Sequence, residues 1–147
     1  MRIMLKNRHL QPVISLLEAM PLKGTQSRAR FKLLTLVKEA ALRFGQDEYA
    51  LITEHATLDH NGTPVFGQDG SFTLKDPARA SDFITAHEAL LDSLAEVSGP
   101  TYQHHLEDVQ DLLDEYDGEL AGDTAEAYDA LYDSVTTALQ AEGDKQP

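Results

Sequence analysis

Residues 28–97 read RARFKLLTLVKEAALRFGQDEYALITEHATLDHNGTPVFGQDGSFTLKDPARASDFITAHEALLDSLAEV, and this stretch decides the fold. Val37, Phe44, Leu51 and Leu58 recur at every seventh position, and Phe83, Leu90 and Val97 repeat the interval. Leu33, Ala40, Ala41 and Ile52 widen the first apolar stripe; Leu91 and Leu94 widen the second. Such spacing keeps one seam turned toward a partner helix. Between the arms lies Asp59-His-Asn-Gly-Thr-Pro-Val-Phe-Gly-Gln-Asp-Gly-Ser-Phe-Thr-Leu-Lys75. Asn61-Gly62 and Asp69-Gly70 are turn signals, and the Phe72/Leu74 alternation fits a short strand. Asp76 offers an N-cap, with Pro77 at the first helical position. The expectation is a mainly α protein: an elongated antiparallel helical hairpin over 25–98 with a β-hairpin tip.

Upstream, Met1–Lys6 alternates weakly and reads as an extended arm. Asn7 is the expected cap of a short N-terminal helix carrying Leu10, Val13, Ile14 and Leu17, with Pro12 near its first turn. Met20-Pro21 ends it, and Thr25 caps the long helix. Gly45 interrupts that helix at a cost of about 1 kcal/mol relative to Ala, which marks a kink or a close helix contact. The return helix is expected from Pro77 to Val97, stopping at Ser98-Gly99-Pro100.

Downstream, two acidic helices complete a single domain. Thr101 caps the first, which carries Tyr102, Leu106, Val109, Leu113 and Tyr116 and ends at Asp117-Gly118. Asp123 or Thr124 caps the second, with Ala127, Tyr128, Leu131, Tyr132, Val135 and Leu139 as its apolar side. The parts are then 1–24 (arm and helix), 25–98 (helix, β-hairpin, helix), 99–142 (acidic helical pair) and 143–147 (frayed tail).

Charge is divided unevenly. Residues 1–45 hold nine Lys/Arg against two acids, while 46–147 hold three against 23, so +7 and −20 make up the net −13. Glu107, Asp108, Asp111, Asp114, Glu115, Glu119, Glu126, Asp129 and Asp133 form a candidate partner-binding acidic face. Arg28, Arg30 and Lys32 form a candidate basic patch, either clamping phosphate or pairing with carboxylates of the C-terminal half. Cations in the first turns of a helix oppose its dipole, so they call for a compensating partner. Acids at every third or fourth helical position approach the charge spacing of a nucleic-acid backbone. Direct nucleic-acid binding through Arg28, Arg30, Lys32, Lys38 and Arg43 would work against the field of the acidic body.

Catalytic chemistry finds little footing. The chain has no cysteine and 147 residues, which removes disulfides, thiolate nucleophiles and Cys-ligated metals. His55/Asp59 and His104/Asp108 are one helical turn apart, but no HExxH or comparable ligand spacing occurs. No glycine-rich phosphate loop and no GxSxG element occurs. The expectation is a non-enzyme without cofactor or metal. No apolar run reaches the length of a membrane span, and Met1–Lys6 is too short for a signal-peptide core, so a soluble intracellular protein is expected.

Leu5-Lys-Asn-Arg-His-Leu-Gln-Pro-Val13, followed by Leu22-Lys-Gly-Thr-Gln-Ser-Arg-Ala-Arg30, resembles a family of small phage proteins of unknown function. That family occurs in tailed phages and prophages of Gram-positive bacteria. The resemblance continues through Tyr49–Leu58, the Asn61-Gly62 turn and Gly70-Ser-Phe-Thr-Leu-Lys-Asp-Pro77, covering 3–97, while the segment after Gly99 departs from it. It implies a phage or prophage origin and a place in the cytoplasm of the bacterial host, or association with the virion. Two roles follow. One is stoichiometric inhibition of a host nucleic-acid-handling or defence complex, anti-CRISPR-like, through the acidic surface. The other is a morphogenesis or tail-associated assembly role for the hairpin module. The partner is a host or phage protein, and the seam closes either within one chain or across a homodimer.

Overall fold

The structure is a computed structural model, and it describes residues 1–144. Among these the protein is mainly helical, with a small two-stranded antiparallel sheet. The elements are β1 (Arg2–Lys6), α1 (Asn7–Ala19), α2 (Gly24–His55), a 3-10 turn (Pro77–Arg79), α3 (Ala80–Asp92), β2 (Leu94–Ser98), α4 (His105–Glu115) and α5 (Gly122–Asp144). Among the described residues two compact units emerge: residues 1–41 with 94–144, and residues 42–93.

The first unit holds the main core. β1 and β2 pair antiparallel, with Ile3 opposite Val97 and Leu5 opposite Ala95. Ile3, Leu5 and Val97 are buried on the inward face, while Arg2, Glu96 and Leu94 are exposed on the other, the period-2 alternation of a half-buried strand. α1 contributes Leu10, Val13, Ile14, Leu16 and Leu17; α2 contributes Ala29, Leu33, Val37 and Ala40; α4 and α5 close the core with Leu112, Leu113, Leu131 and Val135. A side chain at Gly99 would place its Cβ 2.7 Å from Leu36 Cδ2, so Leu36 would have to shift to admit it.

Several expectations change here. The return helix stops at Asp92 and not at Ser98, because Leu94–Ser98 is recruited as the partner strand of β1. Val97 is therefore buried against Ile3 in the sheet, and it is not a member of a helical seam. Met1–Lys6 is extended as expected, and Arg2–Lys6 is paired as a strand with Leu94–Ser98. α1 begins at Asn7 itself, with Lys6 preceding it, and Pro12 lies beyond the first turn. α4 begins only at His105, after His104 in the left-handed region at φ 70°, so neither Thr101 nor Tyr102 belongs to it. Gly143 and Asp144, placed in the frayed tail, are helical residues of α5, whereas 145–147 lie outside the described residues.

The second unit has a thin core: His55, Ala56 and Pro64 are its buried residues among those described. Glu48 meets His87, and farther along α2 His55 meets Phe83, so this part of α2 and α3 run in opposite directions. Phe44, Leu51, Phe83 and Leu90 are half-buried, but Leu58 lies exposed beyond the end of α2. In place of one hairpin, residues 56–74 make two tight turns tied by isolated bridges, Ala56–Leu74, Leu58–Pro64 and Phe66–Phe72. Each turn signal forms its own turn: Asp59 Oδ1 accepts from the amides of Asn61 and Thr63, and Asp69 Oδ1 from that of Ser71. Gly62 and Gly70 supply the positive φ that each turn needs. Asp76 caps Ala78 with Pro77 at the first position, as its sequence predicts.

Candidate functional site

The acidic residues are organised by the helices that carry them. In α4, His105, Leu106, Val109, Leu112 and Leu113 are buried. At about 100° per residue, Glu107, Asp111, Asp114 and Glu115 fall together on the opposite side. In α5, Ala127, Leu131 and Val135 are buried, and the same rotation turns Glu126, Asp129 and Asp133 away from them. All of these carboxylates except Asp108 are exposed; Asp108 is half-buried on the flank of α4, and Glu119 lies in the connector before α5.

Several of the carboxylates are held in place. Tyr102 donates to Asp108 at 2.9 Å, Tyr132 to Asp114 at 2.6 Å, and Gln26 to Glu115. These donors are neutral, so they orient the carboxylates without cancelling their charge. Glu126 meets His9 Nε2 at 3.0 Å. The phenols register the negative field. Burial, then the hydrogen bond and charge of Asp108, push Tyr102 up to about 12. The bond to Asp114 raises Tyr132, and burial followed by the Asp114 charge raises Tyr128. Tyr128 donates to the Leu113 carbonyl and joins α5 to the end of α4.

The basic patch separates into different roles. Arg28 and Arg30, weighed for pairing with C-terminal carboxylates, find other partners. The Arg28 guanidinium sits 4.1 Å from the centre of the Tyr102 ring, a cation–π contact behind the acidic face. Arg30 donates to the carbonyls of Leu17 at 2.8 Å and Met20 at 2.7 Å, so it closes the C-terminal end of α1. Lys32 is exposed, and Lys38 pairs with Glu18 at 3.0 Å. Arg30→Ala leaves two carbonyls without this donor and is expected to cost about 1–3 kcal/mol in urea unfolding. Arg30→Lys should recover only part, since an ammonium lacks the planar fork. Equal stability of all three chains would contradict this role.

Sequence reasoning missed two further features. A groove of roughly 440 Å³ lies between the β1 side of the sheet and α5, lined in part by Arg2, Met4, His9, Leu94, Asp133 and Ala138. Recognising it requires knowing that Arg2–Lys6 is a strand. In the second unit an aromatic run links Phe66, Phe72 and Phe83, with His87 stacked on Phe83 at 5.5 Å and bonded through Nε2 to Glu48 at 2.9 Å. In the same unit Leu42, Tyr49, Val65, Phe66 and Ile84 are between 43% and 67% exposed. Among the described residues no group of three or more His, Asp or Glu is placed to hold a metal ion, and no helix is long and apolar enough to cross a membrane.

Comparison with known proteins supplies the family. The family model described as "Protein of unknown function (DUF1617)" matches residues 1–141, and the chain belongs to that family. The match runs past Gly99 through α4 and most of α5, so the acidic helices, unlike the 3–97 limit of the sequence resemblance, lie inside the family region. No curated protein and no solved structure matches the sequence.

Proposed function

We propose that this member of the DUF1617 family is a non-enzymatic phage or prophage protein that works by occupying a protein partner in the cytoplasm of the bacterial host. The contact surface is the carboxylate face of α4 and α5, and the partner is a basic surface that normally receives nucleic acid. The action is stoichiometric inhibition of a host nucleic-acid-handling or defence complex, in the manner of an anti-CRISPR. One observation carries the reading: Asp108, Asp114 and Glu115 are fixed by the neutral donors Tyr102, Tyr132 and Gln26, so the face is ordered and its charge remains. A preordered charged face gains association rate and specificity, both of which fall with ionic strength.

The test is capture of host proteins on the tagged full chain at low and high salt, with Asp111→Lys/Asp129→Lys alongside. Both residues are exposed, on the side of their helix opposite its buried residues. The double substitution is expected to leave the thermal midpoint nearly unchanged and to weaken capture of a basic nuclease or polymerase by tenfold or more. Failure of the wild-type chain to retain any such protein at low salt overturns the reading.

A second reading is assembly: the antiparallel α2–α3 pair with its two tight turns acting as a virion-assembly or tail-associated module. The exposed Leu42, Tyr49, Val65, Phe66 and Ile84 favour it, since exposed apolar groups concentrate at interaction surfaces. It predicts co-purification with phage structural proteins, and loss of that association on Phe66→Ser.

A further inference from the structure

Residues 42–93 carry nine Asp/Glu against three Lys/Arg, yet one face of the α2–α3 pair is nearly free of charge. Rotation of about 100° per residue puts Leu42, Gly45, Tyr49 and Ile52 on one flank of α2. Asp47, Glu54 and Arg43 fall on the other flank. Because the two helices run antiparallel, with Glu48 beside His87 and His55 beside Phe83, the matching flank of α3 carries Ile84 and Leu91. Leu42 is 67% exposed, Tyr49 47% and Ile84 60%; Gly45 is exposed, and Ile52 and Leu91 are half-buried. Charge reaches the border of this face at Glu88, at Glu48, which is bonded to His87, and at Lys38, one turn before Leu42 and paired with Glu18.

Gly45 supplies the second observation. Its backbone is helical inside α2, where glycine is the poorest former after proline. A Cβ there would meet nothing within 4 Å in this chain, so no internal contact explains the absent side chain. A glycine in the middle of an exposed apolar helix face lets another helix approach closely at that point.

We propose that this face is a self-association surface, on which α2 and α3 pack against the same face of a second copy, crossing near Gly45. The absence of charge selects the occupant. Copies of a chain with net charge −13 repel one another through most surfaces, and a neutral face is where they can meet without placing like charges opposite. Two helices side by side over about 12 residues give a footprint on the order of 400 Å² per copy. This is about half of the roughly 800 Å² per partner in a standard stable interface, so the dimer is a weak, transient one. The surface shares no residue with the α4–α5 carboxylate face, so either assignment can fail without the other.

Sedimentation velocity of the full chain across a micromolar concentration series is the test. The wild-type chain is expected to move from monomer to dimer, more readily as salt is added, because screening removes repulsion while the apolar contact is unaffected. Partner capture by the acidic face responds to salt in the opposite sense. Gly45→Gln fills the crossing point with a better helix former, so its thermal midpoint should be no lower while its dimer constant weakens about tenfold or more. Leu42→Glu should do the same through repulsion. A wild-type chain that stays monomeric throughout, or a Gly45→Gln chain that dimerises as tightly as wild type, overturns the proposal.

Discussion

Leu131→Ala is expected to destabilise the protein by about 2–5 kcal/mol in urea unfolding, far more than truncation of any surface side chain. Leu131 is 0% exposed on the inward side of α5, in the layer with Leu112, Leu113 and Val135. Removing it forfeits the transfer free energy of the deleted methyl and methine groups and leaves a cavity that the flanking helices close only partly. The carboxylates sit on the outward side of the same two helices, so loosening this layer should also mobilise the acidic face. The comparison is Leu42→Ala, whose side chain is 67% exposed and which should change stability by no more than about 0.5 kcal/mol. Equal effects of the two would mean that α5 does not close the core.

The second large effect is a dependence on pH through His105. Its side chain is 2% exposed and its Nε2 lies 2.9 Å from the Ala29 carbonyl, so the proton sits there and Nδ1 carries the lone pair. Nδ1 is buried without a hydrogen-bond partner, which leaves a second proton with nowhere to go. Burial is the main cause that lowers the imidazole from its ordinary 6.5, and the bond to Ala29 opposes the shift. The folded chain therefore resists protonation that the unfolded chain accepts. Stability is complete above pH 6.5 and falls as the pH drops from there toward the lowered folded value. The slope is at most about 1.4 kcal/mol per pH unit for one proton. His105→Gln keeps an amide donor for Ala29 and does not titrate. Subtracting its unfolding free energies from those of wild type, from pH 7.5 down to 4.5, removes what the other five histidines and the carboxylates contribute in common. The difference should be flat above 6.5 and decline below it; a flat difference across the whole range would mean that the imidazole binds its proton equally well in the folded and unfolded chains, which contradicts its burial without a partner at Nδ1.

Legibility followed the range of the interactions. The Asp76-Pro77 start, the turns at Asp59–Thr63 and Gly67–Ser71, and the end of α1 at Met20-Pro21 all depend on atoms within a few residues of one another. Local chemistry suffices for such features. The outward direction of Glu107, Asp111, Glu126, Asp129 and Asp133 follows from helical periodicity, because Leu106, Val109 and Leu113 in α4, and Ala127, Leu131 and Val135 in α5, mark the buried side.

The seam was legible only in part. Val37 is buried and Phe44, Leu51, Phe83 and Leu90 are half-buried, but Leu58 and Leu94 are exposed, and Val97 belongs to a strand. A seven-residue repeat reports that apolar residues share a side. It does not report which backbone they sit on once a distant strand competes for them.

By itself, then, the sequence determined the helical character of most of the chain, the two tight turns, the cap at Asp76 and the separation of a basic head from an acidic body. Each is a property of neighbouring residues or of composition. Tertiary structure alone decided that Leu94–Ser98 is a strand, since Leu-Ala-Glu-Val-Ser suits a helix locally and becomes extended by pairing with Arg2–Lys6, some 90 residues earlier. It decided likewise that Arg30 closes α1, that His105 is buried with one nitrogen unserved, and that the flank bearing Leu42, Gly45 and Tyr49 is left uncovered. Each of these depends on which distant group arrives to hydrogen-bond or to exclude water, and burial of that kind is a property of the whole packed chain.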